Sequence, residues 1–188
     1  TNTTIDPEAT GNVIGFIATP DFPAAGCNNA TAAPFWDLPT STPAVATCVT
    51  GTNTQKAYLD FADTSGGFSA QTGFRLPPDF TGTMDARITW LTTATSGNVK
   101  WSLSTICVAT DATETDDPAF NTASTVTTAA AGVASRLQTS TITSVTITGC
   151  AAGEWMHVRI FRDGNDAADT ISATARLAGV QLLLRRAQ

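Results

Sequence analysis

Residues 83–91 read TMDARITWL, and residues 98–109 read NVKWSLSTICVA. In the first stretch Ala86, Ile88 and Trp90 fall on one side of an extended chain, with Arg87 and Thr89 on the other. In the second, Val99, Trp101 and Leu103 alternate with Lys100, Ser102 and Ser104. Successive side chains of a strand point to opposite faces, so a period of two marks a half-buried β-strand. Between the two stretches, Ser96-Gly97-Asn98 supplies the residues of a turn.

The same alternation returns further on. Met156, Val158 and Ile160 alternate with His157 and Arg159, and Val180, Leu182 and Leu184 flank Gln181 in the same way. Strands are expected at residues 56–62, 67–76, 83–91, 98–109, 124–128, 139–148, 154–162 and 171–186, with turns at 149–153 and 163–165. The last segment is too long for one ordinary strand and is expected to bend, bulge or run past the sheet edge. Residues 129–137 are the one helix-like stretch, and Gly132 weakens it. No alternation of strands with helices leaves room for βαβ units. The expected fold is all-β, an antiparallel β-sandwich of jelly-roll type spanning residues 55–188.

Residues 1–54 differ. They hold Pro7, Pro20, Pro23, Pro34, Pro39 and Pro43, and only residues 13–18 (VIGFIA) read as a strand. Proline removes a ladder donor and fixes φ, so this part is expected to be an extended arm. Phe16, Phe22, Phe35 and Trp36 are its candidate anchors on the body or on a neighbouring subunit.

Composition narrows the functional classes. The 188 residues suit one domain, with charged residues at only 14% against a typical ~25%. Thr, Ser and Ala stand where Lys and Glu usually do, which favours a hydroxyl-rich sheet surface. The net charge of −6 and the lack of a basic cluster beyond Arg185–Arg186 argue against nucleic acid as a partner. No apolar run is long enough to span a membrane. The first residue is Thr1, with no Met and no cationic signal before it; removal of a leader and an upstream start are both compatible with that.

Cys27, Cys48, Cys107 and Cys150 contain no CxxC pair, which disfavours a zinc ribbon or a thioredoxin-type site. Three pairings are open. Cys27–Cys48, closing a loop-rich segment, and Cys107–Cys150, at the ends of two strand-like runs, are favoured over the others. Four buried free thiols are the alternative, and bridges would imply an oxidising compartment.

The search for chemistry gives weak candidates. His157 is the only histidine, and no GxSxG turn accompanies it. Acid pairs such as Asp60 with Asp85, or Glu154 with Asp163, sit in no distinctive motif. Two acidic loops, Asp111, Glu114, Asp116 and Asp117, and Asp163, Asn165, Asp166 and Asp169, have the oxygen ligands of a structural calcium site. Their spacing is not that of an EF-hand, and Asp and Asn are also ordinary turn formers. Trp90 and Trp101 share faces with aliphatics and are expected in the core. Trp36 and Trp155 sit beside loops and are the candidate platforms for stacking on surface glycans. Sequons stand at Asn2 and Asn29. No catalytic residue and no cofactor is expected, apart from the calcium option.

The segments FRLPPDFTGTMDARITW (74–90), SGNVKWSLSTICV (96–108), GCAAGEWMHVRIFRDGNDAADT (149–170) and ARLAGVQLLLRR (175–186) resemble a broad group of small bacteriophage-associated structural proteins. These are tail-fibre, head-fibre or decoration domains with a β-sandwich body. The resemblance covers residues 55–186 and implies a virion setting, with partners that are copies of the chain and other virion proteins. No binding residue follows from it. The expectation is a non-enzymatic virion or extracellular structural protein. A secreted filament or surface-layer subunit and a carbohydrate-binding module are the alternatives.

Overall fold

A computed structural model describes residues 16–28, 31–63, 67–109 and 117–187 of the chain. The described residues form strands and no helix. The first five strands are β1 (Phe16–Ala18), β2 (Asp21–Pro23), β3 (Ala25–Asn28), β4 (Thr31–Pro34) and β5 (Val45–Thr50). Then come β6 (Gln55–Phe61), β7 (Ser69–Arg75), β8 (Phe80–Thr92) and β9 (Asn98–Val108). The last four are β10 (Ser124–Ala129), β11 (Gln138–Ile142), β12 (Trp155–Arg162) and β13 (Ala175–Arg186).

All the strand pairings are antiparallel. One sheet runs β11-β8-β13-β6-β5 and the other β10-β9-β12-β7, while β3 and β4 form a separate hairpin. From β6 onward the order β6-β13-β8-β11 lies opposite β7-β12-β9-β10, two antiparallel sheets packed as a sandwich. The alternating residues named above turn inward from both sheets. Phe61 and Trp90 meet Trp101 edge-on, with ring centroids 5.2 and 6.0 Å away, and Trp90 and Trp101 are both 0% exposed. The Trp90 indole donates to Ser140 Oγ (2.7 Å), which donates in turn to Thr128 Oγ1 (2.7 Å), linking β8 and β11 to β10 of the facing sheet.

The long final strand bulges, one of the expected outcomes, and also changes partner along its length. Its register against β8 slips between Leu177 and Gly179 and again between Leu184 and Arg186. Along its other side it takes three partners end to end: β6 at 175–177, β2 at 179–181 and β1 at 184–186.

Residues 16–54 carry five strands where the sequence suggested one; of the expected strand at 13–18, residues 13–15 lie outside the described part. The prolines do not prevent this, because these strands are short, and Pro23 and Pro34 stand at the ends of β2 and β4, where a missing donor costs little. Trp36 packs edge-on against Phe22, and Phe22 lies against Phe74 of the body. Residues 37–44 then run along β7: Asp37 and Gln71 exchange backbone hydrogen bonds of 2.7 and 2.8 Å, Ser69 N donates to Thr42 O and Ala44 N to Ser69 O. An edge that would otherwise offer unpaired amides is thereby covered.

The helix expected at 129–137 does not form. β10 continues through Ala129, and Gly132 and Ser135 then adopt φ of 76° and 59°, which no right-handed helix tolerates. Pairing of residues 124–129 with 98–103 outweighs the helix preference of a few alanines. β11 is also shorter than expected and stops at Ile142, before Ser144 turns into the left-handed region.

Truncating the ring that both sheets share should be costly. Trp101→Ala is expected to destabilise the fold by about 3–5 kcal/mol in urea unfolding. Trp101→Phe, which also removes a buried N–H that has no acceptor, should cost far less.

Candidate functional site

Because the even-numbered residues of β12 face the core, Trp155, His157, Arg159 and Phe161 all stand on the outer face of its sheet. Register places them opposite Arg75, Gly73, Gln71 and Ser69 of β7. At one end the Trp155 indole lies over Gly73: a β-carbon there would come within 2.7 Å of Nε1. Glycine is what allows the ring to lie down against the sheet. Trp155 is 41% exposed and meets His157 edge-on at 6.3 Å.

In the middle of the row the Arg159 guanidinium sits between two rings, 4.7 Å from the centroid of Phe120 and 5.2 Å from that of Phe161. Such stacking holds the planar group in one orientation. Burial pushes its pKa down from the usual arginine value. Beyond Arg159 lies a shallow cavity of about 440 Å³, bounded by Thr42, Gln71, Arg159, Phe161, Asp163 and Asn165 among others. A smaller one of about 100 Å³ lies on the other side of Gln71, between His157, Ile106 and the 117–120 segment. Its lining residues provide an imidazole and a carboxylate, Asp117, but no hydroxyl or thiol nucleophile.

The rim of the larger cavity is set by the loop that follows β12. Arg162 is 0% exposed, yet all five of its N–H donors are used. Nε and Nη2 grip Asp169 in a fork (2.9 and 2.7 Å), Nη1 donates to Phe61 O and Ala173 O, and Nη2 also donates to Ile171 O. Asp169 Oδ2 accepts a further bond from Lys100 N at 2.9 Å. Asp166 is paired with Lys100 Nζ and accepts from Ala168 N, and Asp163 Oδ2 lies 4.0 Å from the same ammonium. The Lys100 ammonium holds the Asp166 carboxyl below its usual range. In the expected calcium loop 163–169, the Asp166 and Asp169 carboxylates are thus paired with Lys100 and Arg162. In the other acidic loop, Asp111, Glu114 and Asp116 lie outside the described residues, and Asp117 is exposed.

The remaining candidates are dispersed. Asp60 is level with Arg176 of β13 and Asp85 with Leu183, seven residues or roughly 23 Å along one strand. Glu154 and Asp163 stand at opposite ends of β12, about 30 Å apart at strand spacing. Neither pair has the separation at which two carboxyls flank one glycosidic bond. Burial pushes the Asp60 carboxyl up, against the opposing hydrogen bond from Thr47 and charge of Arg176. Trp36 is only 3% exposed and its indole donates to Pro23 O, so its ring is a packing element with no free face for a sugar. Cys27 is bonded to Cys48, and Cys107 to Cys150. Asn2 and Asn29 lie outside the described residues.

No family model matches the chain, and no curated protein does. Among solved structures, dimeric latent PorU from Porphyromonas gingivalis aligns with a TM-score of 0.36 and 9% identity, over 82% of this chain and 15% of that one. At that score the likeness carries no inference. The two disulfides indicate an oxidising setting, extracellular or secreted. No helix among the described residues is long and apolar enough to cross a membrane.

Two outcomes are expected from the loop geometry. Asp169→Ala, which takes the fork from the buried Arg162 and leaves it only Asp63 at 3.6 Å, should cost roughly 3 kcal/mol in chemical unfolding. Chelator should leave the melting temperature unchanged, since Lys100 and Arg162 already neutralise the 163–169 carboxylates. A fall on adding EDTA, reversed by calcium, would restore a metal to the loop.

Proposed function

We propose that this chain is an extracellular, non-catalytic building block that works by packing against copies of itself, in the manner of a virion decoration, fibre or tail component. The observation that carries the reading is the exposure of three large apolar side chains within residues 35–45. Phe35, Leu38 and Val45 are 61%, 36% and 54% exposed, on a chain whose surface is poor in charge. Apolar groups gathered in one stretch and left to water favour association that covers them. Val45 begins β5, the last strand of the larger sheet's path, so a neighbour has both side chains and strand edge to meet there.

The resemblance of residues 55–186 to phage-associated structural domains supports the virion setting. A filament or surface-layer subunit would use the same contacts, and growth of the isolated chain into fibres would select that reading.

The test is the oligomeric state across protein concentration, by light scattering and negative-stain imaging. Wild type is expected to form closed oligomers of one size. Val45→Lys and Leu38→Lys, both at exposed positions, should weaken association roughly tenfold or more by placing a hydrated charge in the contact. A wild-type chain that stays monomeric at every concentration, with the lysine variants indistinguishable from it, would remove this function.

A further inference from the structure

The larger cavity on the outer face of the β12 sheet has a composition that the assembly role does not use. Binding pockets for apolar ligands are lined mainly by hydrocarbon, with a few polar groups for orientation. Here the wall is mostly hydroxyl, amide and charge: Thr42, Ser69, Gln71, Asp163 and Asn165, with the Phe161 ring as its aromatic element. A ligand matching it must present many hydroxyls and one apolar face.

Arg159 adds the second requirement. Its guanidinium is fixed between Phe120 and Phe161, and its Nε is buried without a hydrogen-bond partner. Among the described residues no carboxylate is paired with it, which is also true of Arg75, Arg87, Arg136 and Arg185, but of these only Arg159 has a buried N–H without an acceptor. A planar fork held in place by two rings suits a carboxylate, which it would receive on its Nη atoms, since Nε has no exposed surface. Asp163 stands across the same cavity, with Lys100 4.0 Å from its carboxylate. It presents an acceptor for hydroxyls at one end while Arg159 presents donors at the other. A bound ring carrying both groups is thereby oriented.

We propose that this cavity is a binding site for a carboxylated saccharide, of the uronic-acid class. Arg159 receives the carboxylate, Phe161 packs against the ring, and Gln71, Asp163 and Asn165 bond the hydroxyls. The site is formed within one copy of the chain, so it does not require self-assembly. The net charge of −6 works against non-specific attraction of anions, so binding rests on the local fit around Arg159.

The experiment is titration of the full chain with an oligogalacturonate, its methyl ester and an acidic tetrapeptide, by calorimetry and by the NMR shift of the Arg159 Nε–H. The oligogalacturonate is expected to bind, to move that resonance, and to bind roughly tenfold or more tightly than its neutral ester, because a charge-assisted contact is lost in the ester. Arg159→Gln should abolish the difference between acid and ester. Arg159→Lys should restore little of it, since an ammonium cannot make the fork. Asn165→Ala, an exposed loop change that leaves the sheet intact, should weaken the oligogalacturonate and spare any binding of simple anions. Equal affinity for acid and ester, binding unaffected by both Arg159→Gln and Asn165→Ala, or no binding of any probe would overturn the proposal. Tighter binding of the acidic peptide would reassign the site to protein carboxylates.

Discussion

The buried fork between Arg162 and Asp169 holds together the end of the sandwich on which everything else depends. Taking two charges out of water is favourable only when their remaining hydrogen-bonding capacity is met. Here the guanidinium meets it with three backbone carbonyls, at Phe61, Ala173 and Ile171, in addition to the carboxylate. Those carbonyls belong to the end of β6 and to the segment leading into β13, so one side chain of β12 joins both sheets. The carboxylate in turn receives the Lys100 amide, which brings the start of β9 to the same point. Removing Arg162 would strand the buried Asp169 carboxylate, and removing Asp169 would leave the guanidinium only Asp63, 3.6 Å away.

The same clamp sets the outer surface. By fixing residues 166–171 it presents Asp163 and Asn165 at the rim of the cavity, and Lys100 keeps Asp166 in register with them. β12 therefore has two jobs separated by side-chain parity. Met156, Val158, Ile160 and Arg162 hold the interior, while Trp155, His157, Arg159 and Phe161 form a row on the outside. A strand in the middle of a sheet is a rigid mount, and side chains stacked upon it lose little freedom when a ligand arrives.

The N-terminal segment connects the two proposed roles. Residues 37–44 cover the edge of β7, and Thr42 within them lines the cavity; Leu38 in the same stretch and Val45 just after it face solvent. An assembly contact at Leu38 and Val45 would lie beside the cavity mouth, so packing of copies and access to the site share one border.

Local pattern was enough for the all-β class of fold, for the location of eight strands from residue 55 onward, though not for the end of β11, and for most of the core, because a period of two is written into each strand by the chain's own geometry. It also placed Trp90 and Trp101 inside. Parity continued one step past Ile160 points at Arg162 as an inward charge, a signal present in the sequence even though arginine is seldom buried. What local pattern does not contain is partnership between distant segments. Whether Asp163, Asp166 and Asp169 meet a metal or a cation depends on Lys100 and Arg162, and Lys100 lies more than sixty residues away in the chain. Whether Trp36 is a platform or a core ring depends on Phe22 packed against it, and whether Pro-rich residues 21–34 pair at all depends on edges offered by β13 and on the Cys27–Cys48 bond. Alternation says which way a side chain points, and only the folded chain decides what it finds there.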